Sequence, residues 1–343
     1  MVGEHSENSM QQLTKTSAFL SCDWGTTSFR LKLFDIVHGI TLAEEISDKG
    51  CAGIFNEWQK SRSKTSPAIH YLLYLKEALS RLSQKTGIVL ENMDIVISGM
   101  ASSSIGMREL PYASLPFPID GAAAVTNWIS GEEIILNNIL LISGVATHND
   151  LMRGEETQLA GIVKMIKEET KEETIYILPG THSKHITVTN KQIVDFKTFM
   201  TGELFGLLLH HGLLAGAVTA PESNRIEGKE ITAFHCGVKK ALEDDLLQNL
   251  FSVRVKDLKK YYSKTLNYFY LSGLLIGAEL KHTCNGSKAH YTICSDHTLG
   301  TLYYSAFRYL GLAGQVTLLT DELHANAAAI GQAAILQKFK TVN

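Results

Sequence analysis

Two short turns of the chain carry glycine and hydroxyl residues suited to phosphate binding. Residues 23–30 read Asp-Trp-Gly-Thr-Thr-Ser-Phe-Arg, and residues 178–184 read Leu-Pro-Gly-Thr-His-Ser-Lys. The repeated residues are Gly25, Thr26 and Ser28 in the first turn and Gly180, Thr181 and Ser183 in the second. A glycine lets the backbone approach a ligand, and the amides and hydroxyls after it can hydrogen-bond phosphate oxygens. One such turn would be an ordinary hairpin, whereas the repetition predicts a duplicated fold that holds one polyphosphate.

Asp23 and Arg30 flank the first turn and have side chains that can act on a phosphoryl group. A carboxylate at the end of a strand can hold Mg²⁺, usually through water, because this hard cation takes few protein ligands. The alternative is that Asp23 only caps the turn. Arg30 either neutralises the transferred phosphoryl group or extends from a sheet edge into solvent, and both interpretations stay open.

A second cluster of charged residues lies at 153–158, which read Arg-Gly-Glu-Glu-Thr-Gln. A carboxylate of Glu155 or Glu156 can accept the proton of an attacking sugar hydroxyl if it lies in a cleft. The same two residues also make a favourable acidic first turn of a helix. The segment alone does not decide between a general base and a helix start.

Hydrophobic patterning predicts the elements that position these residues. Alternating segments on both sides of each turn predict that each half of the chain opens with a three-stranded antiparallel meander. Apolar strands at 93–97 and 140–145 each end in a loop, and ligands usually bind at the carboxyl ends of strands in α/β sheets. A helix is predicted over 67–83 with Gly87 as its stop, and another over 150–167, capped by Asn149 or Asp150.

The second half is predicted to be mostly helical. Helices are expected at 204–218, 238–250, 257–281, 299–310 and 321–338, and strands at 291–294 and 316–319. Gly273 and Gly277 fall on one face of the third of these helices. They permit close packing of either a neighbouring element or a flat ligand.

Length and composition exclude several classes of protein. The 343 residues suffice for two domains with separate cores, and a formal net charge of −3 argues against nucleic acid or an anionic membrane as the main partner. Five dispersed cysteines are typical of reduced thiols in a cytoplasm. Residues 1–16 are polar and predict a tail without a signal peptide, and the apolar segment 204–218 predicts a buried helix because it is too short to span a membrane.

Five motifs of this chain, taken together, resemble the 2-dehydro-3-deoxygalactonokinase family. The motifs are Asp23–Thr27, Met152–Gln158, Pro179–Lys184, Met200–Leu204 and Leu271–Glu279. The family belongs to the sugar kinase and actin-like ATPase superfamily. The resemblance therefore implies an α/β fold of two ribonuclease-H-like lobes, with mixed sheets flanked by helices and an ATP cleft between them. The expected lobes are residues 17–170, with the first phosphate motif and the sugar site, and 171–343, with the second phosphate motif and the adenosine site.

The resemblance also implies roles for individual residues. Glu155 and Glu156 are the candidates for the catalytic base, with Arg30 as a further catalytic residue and Asp23 as the Mg²⁺ ligand. Glu155 matches the catalytic carboxylate of related carbohydrate kinases, whereas phosphatase relatives favour Glu156. The expected ATP contacts are Gly25, Thr26, Thr27, Gly180, Thr181, His182, Ser183, Gly273, Ser295 and Asp296. The expected contacts to the sugar acid are Gly99, Met100, Ser103, Arg108, Arg153 and Lys184.

The resulting expectation is a cytoplasmic kinase that uses Mg²⁺ and ATP to phosphorylate the terminal hydroxyl of 2-dehydro-3-deoxy-D-galactonate. Its expected partners are small molecules, and neither nucleic acid nor a membrane is expected to bind. The sequence leaves open whether the protein forms a homodimer. In the adenosine motif, Cys294-Ser295-Asp296 replaces the usual glycine-rich start, so the nucleotide base can be held differently. The alternatives are a phosphatase of the same superfamily and an actin-like ATP-binding switch.

Overall fold

The computed structural model describes residues 17–62, 64–131, 133–166, 173–222, 226–284 and 289–342. The chain divides into two compact units. The first comprises Met1–Glu169, Lys191–Asp195 and Ala325–Asn343, and the second comprises Thr170–Asn190 and Phe196–His324. The division after residue 169 lies next to the expected boundary, whereas residues 325–343 group with the first unit and not with the second. The predicted tail at 1–16 lies outside the described residues.

The first unit is built on a six-stranded mixed sheet. Its elements in chain order are β1 (Ala18–Trp24), β2 (Phe29–Asp35), β3 (Ile40–Ser47), α1 (Cys51–Ser61), α2 (Pro67–Thr86), β4 (Ile95–Gly99), β5 (Ala113–Ser114), β6 (Phe117–Pro118), β7 (Thr126–Ile129), β8 (Ile139–Ile142), β9 (Val145–Ala146), β10 (Leu151–Met152) and α3 (Glu155–Ile166). The strand order is β3-β2-β1-β4-β8-β7. Strands β1 to β3 form an antiparallel meander, and β4 and β8 continue the sheet parallel to β1. The predicted meander is confirmed.

Local sequence explains where the helices of the first unit begin and end. Helix α2 begins after Ser66, whose side chain accepts a hydrogen bond from the Ala68 amide, and it ends at Gly87 with a φ of 70°. Helix α3 begins at Glu155, so the predicted start near Asp150 is wrong. Residues 151–152 pair with β9 instead, and Gly154 has a φ of 112°, which a helix does not allow.

The second unit repeats the plan of the first. Its elements are β11 (Glu173–Leu178), β12 (Ser183–Thr189), β13 (Gln192–Phe199), α4 (Thr201–His210), α5 (Lys229–Glu243), α6 (Leu246–Leu258), α7 (Lys264–Leu280), β14 (His290–Ile293), α8 (His297–Tyr309) and β15 (Val316–Leu318). The first residues of β13 belong to the first unit. Strands β11 and β12 are antiparallel, and β14 and β15 continue parallel to β11. The predicted fold class, two ribonuclease-H-like lobes with mixed sheets, is confirmed.

Three predicted helices of the second unit have different bounds. The segment 204–218 contains α4 up to His210 and a separate 3₁₀ turn at Leu213–Gly216, and no residue of α4 is fully buried. The predicted helix at 238–250 is two helices, α5 and α6. Helix α7 begins after Ser263, whose side chain caps the Leu266 amide. In the described part of the chain, no helix is both long and apolar enough to cross a membrane.

Helix α9 (Asp321–Val342) explains why the C-terminal residues group with the first unit. Its apolar side chains pack on one face of the first sheet, and this cluster consists of Phe19, Phe34, Val96, Leu140, Ile142, Ala329, Ala333, Ile335 and Leu336. Helices α9 and α3 also approach each other through a pair of glycines. A Cβ atom on Gly161 would lie 1.8 Å from the Ala327 carbonyl oxygen, and one on Gly331 would lie 1.9 Å from the Thr157 carbonyl oxygen.

We expect Gly161→Ala to lower the free energy of unfolding by about 1–3 kcal/mol, because the added methyl group forces α3 and α9 apart. The measurement is urea denaturation followed by circular dichroism. Gly206→Ala in α4 is the matched control, because no atom lies within 4 Å of its Cβ position. Alanine should stabilise that helix by about 0.5–1 kcal/mol. Equal effects of the two substitutions would contradict the tight contact between α3 and α9.

Candidate active site

The first turn is held by its backbone, while its hydroxyl side chains are exposed. The Gly25 amide donates to the Ser28 carbonyl oxygen at 2.9 Å. The first amides of α1, from Cys51 and Ala52, donate to the carbonyl oxygens of Gly25 and Thr26 at 2.9 and 3.0 Å. Thr26, Thr27 and Ser28 are exposed. Exposed hydroxyls at such a turn can hydrogen-bond phosphate oxygens, and the phosphate-binding role stays a prediction.

Asp23 lies at the end of β1, beside the turn and near two other charged residues. It is half-buried and pairs with Arg30 across the hairpin. Burial raises its pKa above the ordinary value for aspartate, the positive charge of Arg30 lowers it, and the negative charge of Glu155 raises it. The structure therefore brings together three of the predicted site residues: the metal ligand, the catalytic arginine and one candidate base.

The end of β4 passes very close to the end of β1. Gly99 has a φ of 93°, and a Cβ atom there would lie 2.7 Å from the Trp24 carbonyl oxygen and 3.4 Å from Oδ1 of Asp23. The residues that follow form a 3₁₀ turn, Met100–Ser102, where the sequence predicted a flexible loop. Ser103 is buried, and its hydroxyl donates to the Met100 carbonyl oxygen at 2.7 Å. Gly99 thus lies beside Asp23, Met100 and Ser103 follow it in the next turn, and the Ser103 hydroxyl already donates within that turn.

Arg153 is buried and holds two loops together. Its Nη1 donates to the carbonyl oxygen and the hydroxyl of Ser102, both at 2.6 Å, and to the hydroxyl of Ser143 at 3.3 Å. The guanidinium lies over the ring of Tyr112, 4.1 Å from its centroid. Arg108, in contrast, is exposed and donates to Oδ1 of Asn127 at 3.1 Å. Of the two arginines predicted to bind the sugar acid, only Arg108 is exposed.

Glu155 and Glu156 both fold back onto the chain at the start of α3. Oε2 of Glu155 accepts from the Arg153 amide at 2.9 Å. Both carboxylate oxygens of Glu156 accept from the Gly154 amide, at 3.1 and 2.8 Å, and Oε1 also accepts from the Thr157 hydroxyl at 2.9 Å. Glu156 is 2% exposed, whereas Glu155 is half-buried. Burial, followed by the charge of Glu155, raises the pKa of Glu156 from 4.5 to about 7.

Two buried residues near the site were missed by the sequence interpretation. The Lys32 ammonium donates to the Ala325 carbonyl oxygen at 2.7 Å, and its pKa is lowered by burial and by Arg30. The Gln332 amide donates to the Cys22 carbonyl oxygen at 2.9 Å and to the Ser98 hydroxyl at 2.8 Å. Gln332 therefore joins the ends of β1 and β4, next to Asp23.

The second turn, in the second unit, contains exposed residues and buried residues that are hydrogen-bonded within the protein. Gly180, Thr181 and His182 are exposed, and the amide of Glu203 in α4 donates to the Thr181 carbonyl oxygen at 2.9 Å. Nε2 of His182 lies 2.5 Å from Oε2 of Glu203. Lys184 is buried, and its ammonium donates to the His182 carbonyl oxygen at 3.4 Å. Lys184 thus supports the turn from within.

The serine of the second turn binds a buried carboxylate that the sequence interpretation did not assign. The Ser183 hydroxyl donates to Oε1 of Glu279 at 2.7 Å, so it cannot at the same time donate to a phosphate. Nε2 of His185 donates to the same oxygen at 2.8 Å. Oε2 of Glu279 accepts from the hydroxyls of Thr201 and, at 2.7 Å, Tyr303.

A cavity of about 420 Å³ opens beside this turn. It is lined by Gly180, Thr181, Thr201, Gly202, Phe205, Tyr268, Ser272, Leu275, Ile276, Asp296, Thr298, Leu299, Leu302 and Tyr303. Asp296 caps α8, because its Oδ1 accepts from the Leu299 amide at 3.0 Å. The lining combines apolar side chains, among them the rings of Phe205, Tyr268 and Tyr303, with polar ones such as Thr181, Thr201 and Asp296.

Gly273 and Ser295, two of the predicted ATP contacts in the second unit, are buried and do not line this cavity. A Cβ atom on Gly273 would lie 2.0 Å from the Phe234 carbonyl oxygen, so the small residue allows α7 to pack against α5. Ser295 is 2% exposed and buried at the end of β14. Gly273 and Ser295 are therefore not part of the proposed nucleotide site.

Comparison with known proteins identifies relatives that span almost the whole chain. The family model described as 2-keto-3-deoxy-galactonokinase matches residues 23–331. The 2-dehydro-3-deoxygalactonokinase of Escherichia coli (strain K12) is 30% identical, covering 86% of this chain and 91% of its own. A probable 2-dehydro-3-deoxygalactonokinase of Rhizobium meliloti (strain 1021) is 29% identical, covering 94% and 99%. A crystal structure from Sinorhizobium meliloti, assigned to the same activity, has a TM-score of 0.73 at 27% identity, covering 93% and 96%.

The raised pKa of Glu156 predicts how stability depends on pH. The folded protein holds the Glu156 proton more tightly than the unfolded chain does, so raising the pH from about 4.5 to about 7 removes stability. The loss is at most about 3 kcal/mol, taking 1.36 kcal/mol per pKa unit. Glu156→Gln should flatten this part of the curve of unfolding free energy against pH.

Urea titrations at pH 4.5 to 8 test this expectation. Glu77→Gln is the control, because the Glu77 side chain is 69% exposed and its neutralisation should leave the slope unchanged. Parallel curves for wild type and Glu156→Gln would contradict the raised pKa.

Proposed function

Because the chain belongs to the 2-keto-3-deoxy-galactonokinase family, we propose that it transfers the γ-phosphoryl group of ATP to the 6-hydroxyl of 2-dehydro-3-deoxy-D-galactonate. The products are 2-dehydro-3-deoxy-6-phosphogalactonate and ADP, and the reaction belongs to galactonate catabolism. The observation that carries the proposal is the family match over residues 23–331. A phosphatase or an actin-like switch is not favoured, since the relatives matched over nearly their full length are named as kinases.

Asp23 is the proposed Mg²⁺ ligand. A half-buried carboxylate next to exposed hydroxyls fits this hard cation, which keeps several waters and shares the nucleotide phosphates. Among the residues that the structure describes, no group of three or more His, Cys, Asp or Glu could hold a metal, so the fit rests on a site with few protein ligands. When bound, Mg²⁺ would neutralise phosphate charge during transfer. Arg30, paired with Asp23 across the hairpin, is the proposed second source of positive charge.

Glu155 is the proposed general base for the attacking hydroxyl. It is half-buried and electrostatically coupled to Asp23, so it lies where a proton can be accepted near the transferred phosphate. Glu156 is 2% exposed, and its oxygens accept from the Gly154 amide and the Thr157 hydroxyl. These contacts support a role for Glu156 in fixing the start of α3.

The segment after β4 is the proposed site for the sugar acid. Gly99 lies beside Asp23, Met100 and Ser103 follow it in the same segment, and exposed Arg108 offers a cation to the substrate carboxylate. Arg153 acts mainly by fixing this segment, because its Nη1 binds both polar atoms of Ser102. Lys184, the other predicted contact to the sugar acid, is buried in the second unit, and its role stays a prediction.

The second unit is the proposed nucleotide site. Gly180, Thr181 and His182 of the second turn are the proposed phosphate contacts there, and Gly25, Thr26 and Thr27 are those of the first unit; exposure of these residues, which is partial for Gly25, supports the proposal. The neighbouring cavity is lined by apolar and polar side chains, which suits a nucleoside. Asp296, which lines this cavity, is the proposed polar contact. Location in the cytoplasm is part of the proposal, supported by the free thiols of Cys22, Cys51, Cys236 and Cys294. A homodimer stays a hypothesis.

Purified protein with Mg²⁺ and ATP should release ADP only when a 2-keto-3-deoxy sugar acid is present, because the attacking hydroxyl belongs to the acceptor. A coupled ADP assay with and without the acid measures this. Equal ATP turnover without an acceptor would contradict the kinase proposal and support the actin-like alternative. Release of inorganic phosphate without a phosphorylated sugar would support a phosphatase.

Glu155→Gln keeps the shape of the side chain and removes its basicity, so it should lower kcat by on the order of a hundredfold or more. KM and the thermal midpoint should change little, because the group acts in the transition state. Glu156→Gln is the matched control with a small effect on kcat. A larger loss of kcat in Glu156→Gln than in Glu155→Gln would assign the base to Glu156. If both variants lost less than tenfold in kcat, the two carboxylates would only stabilise the start of the helix.

A further inference from the structure

Glu279 is a buried carboxylate that no step of the proposed reaction uses. It is 3% exposed and lies on α7. A carboxylate in this position would be costly without partners, because burial disfavours its charge. Hydrogen bonds from His185, Thr201 and Tyr303 nevertheless lower its pKa, so the carboxylate stays ionised. It is therefore the acceptor in each of its hydrogen bonds.

The four donors to Glu279 come from three different elements of the second unit. Ser183 and His185 lie on β12, Thr201 begins α4, and Tyr303 lies on α8. A carboxylate has about four lone-pair sites, so these donors fill it completely. The position of each donor is therefore fixed relative to the other three.

The donors are also parts of the surface that a nucleotide would contact. Ser183 belongs to the second turn, directly after exposed His182, while Thr201 and Tyr303 line the cavity. Fixing these residues sets the distance between the turn and the cavity wall. A polyphosphate and its nucleoside need both surfaces at once.

We propose that Glu279 is a positioning residue for nucleotide binding, which locks the second turn to the cavity wall through its four hydrogen bonds. This inference rests on the proposed function, since it assumes that the nucleotide binds to the second unit. Glu279 itself does not contact the nucleotide.

Removal of the Glu279 charge should change the KM for ATP in opposite directions, depending on whether Glu279 acts through electrostatic repulsion or through positioning. A buried anion near a polyphosphate repels it, so charge removal alone should lower the KM for ATP. In Glu279→Gln the amide nitrogen cannot accept, and two of the four donors lose their acceptor. If positioning dominates, the KM for ATP rises by on the order of tenfold or more, because one charge-assisted hydrogen bond alone contributes about that factor and two donors are affected, while the KM for the sugar acid stays within twofold.

Steady-state kinetics with ATP and sugar acid varied separately, together with thermal denaturation, test the proposal. Asn267→Ala is the matched control, because Asn267 is also buried on α7 and donates to the carbonyl oxygens of Ala217 and Val253, and none of these three residues lines the cavity. It should lose stability without a change in the KM for ATP. His185→Phe is the second variant if Glu279→Gln does not fold. It keeps the ring contact with Phe199 and removes one donor, so the KM for ATP should rise several-fold.

An unchanged or lowered KM for ATP in the folded Glu279→Gln or His185→Phe protein would overturn the proposal. Equal rises in the KM for both substrates would also overturn it, because they indicate general loosening. A wild-type protein without ATP turnover would instead contradict the proposed function. The two failures are therefore distinguishable.

Discussion

The backbone of Gly99 lies so close to the backbone of Trp24 that a Cβ atom at position 99 would come within 2.7 Å of the Trp24 carbonyl oxygen. The site in the first unit depends on this approach. Gly154 lies beside Gly99, with its Cβ position 3.4 Å from the Gly99 Cα, and its φ of 112° favours glycine. The ends of β1 and β4 can approach this closely because position 99 carries no side chain, and the start of α3 lies beside them. The meeting brings Asp23 and Glu155 close enough to couple electrostatically.

Two buried glutamates show how the number of donors decides the charge state. Glu156 and Glu279 are 2% and 3% exposed, so desolvation acts on both. Glu156 has the Gly154 amide and the Thr157 hydroxyl as donors and a second carboxylate nearby, and its pKa is raised. Glu279 has four donors, one of them an imidazole, and its pKa is lowered. Hydrogen bonds and the electrostatic interaction with His185 therefore outweigh burial at Glu279, whereas at Glu156 burial and the charge of Glu155 outweigh the hydrogen bonds.

The sequence was sufficient to predict what local patterns encode. Alternation around the two turns predicted both meanders, and Gly87 predicted the end of α2 correctly. The start of α3 was missed because Leu151 and Met152 pair with β9, a tertiary contact that overrides helix propensity. Lys32 was passed over because alternation placed it on a polar face, which α9 then covers. Gln332 was missed because its partner Cys22 lies 310 positions away. The donor role of Ser183 toward Glu279 likewise depends on contacts between distant elements.

The order of synthesis gives helix α9 a further significance. The residues that cover the apolar face of the first sheet, among them Ala333 and Leu336, leave the ribosome after the whole of 196–324. At about 5–20 residues per second, that stretch takes on the order of 10 s to translate. During this interval Phe19, Phe34 and Leu140 lack their cover, although the strands that carry them were made first. The first unit to be synthesised is thus the last that can finish folding, because one face of its sheet stays without its apolar cover until α9 has been made.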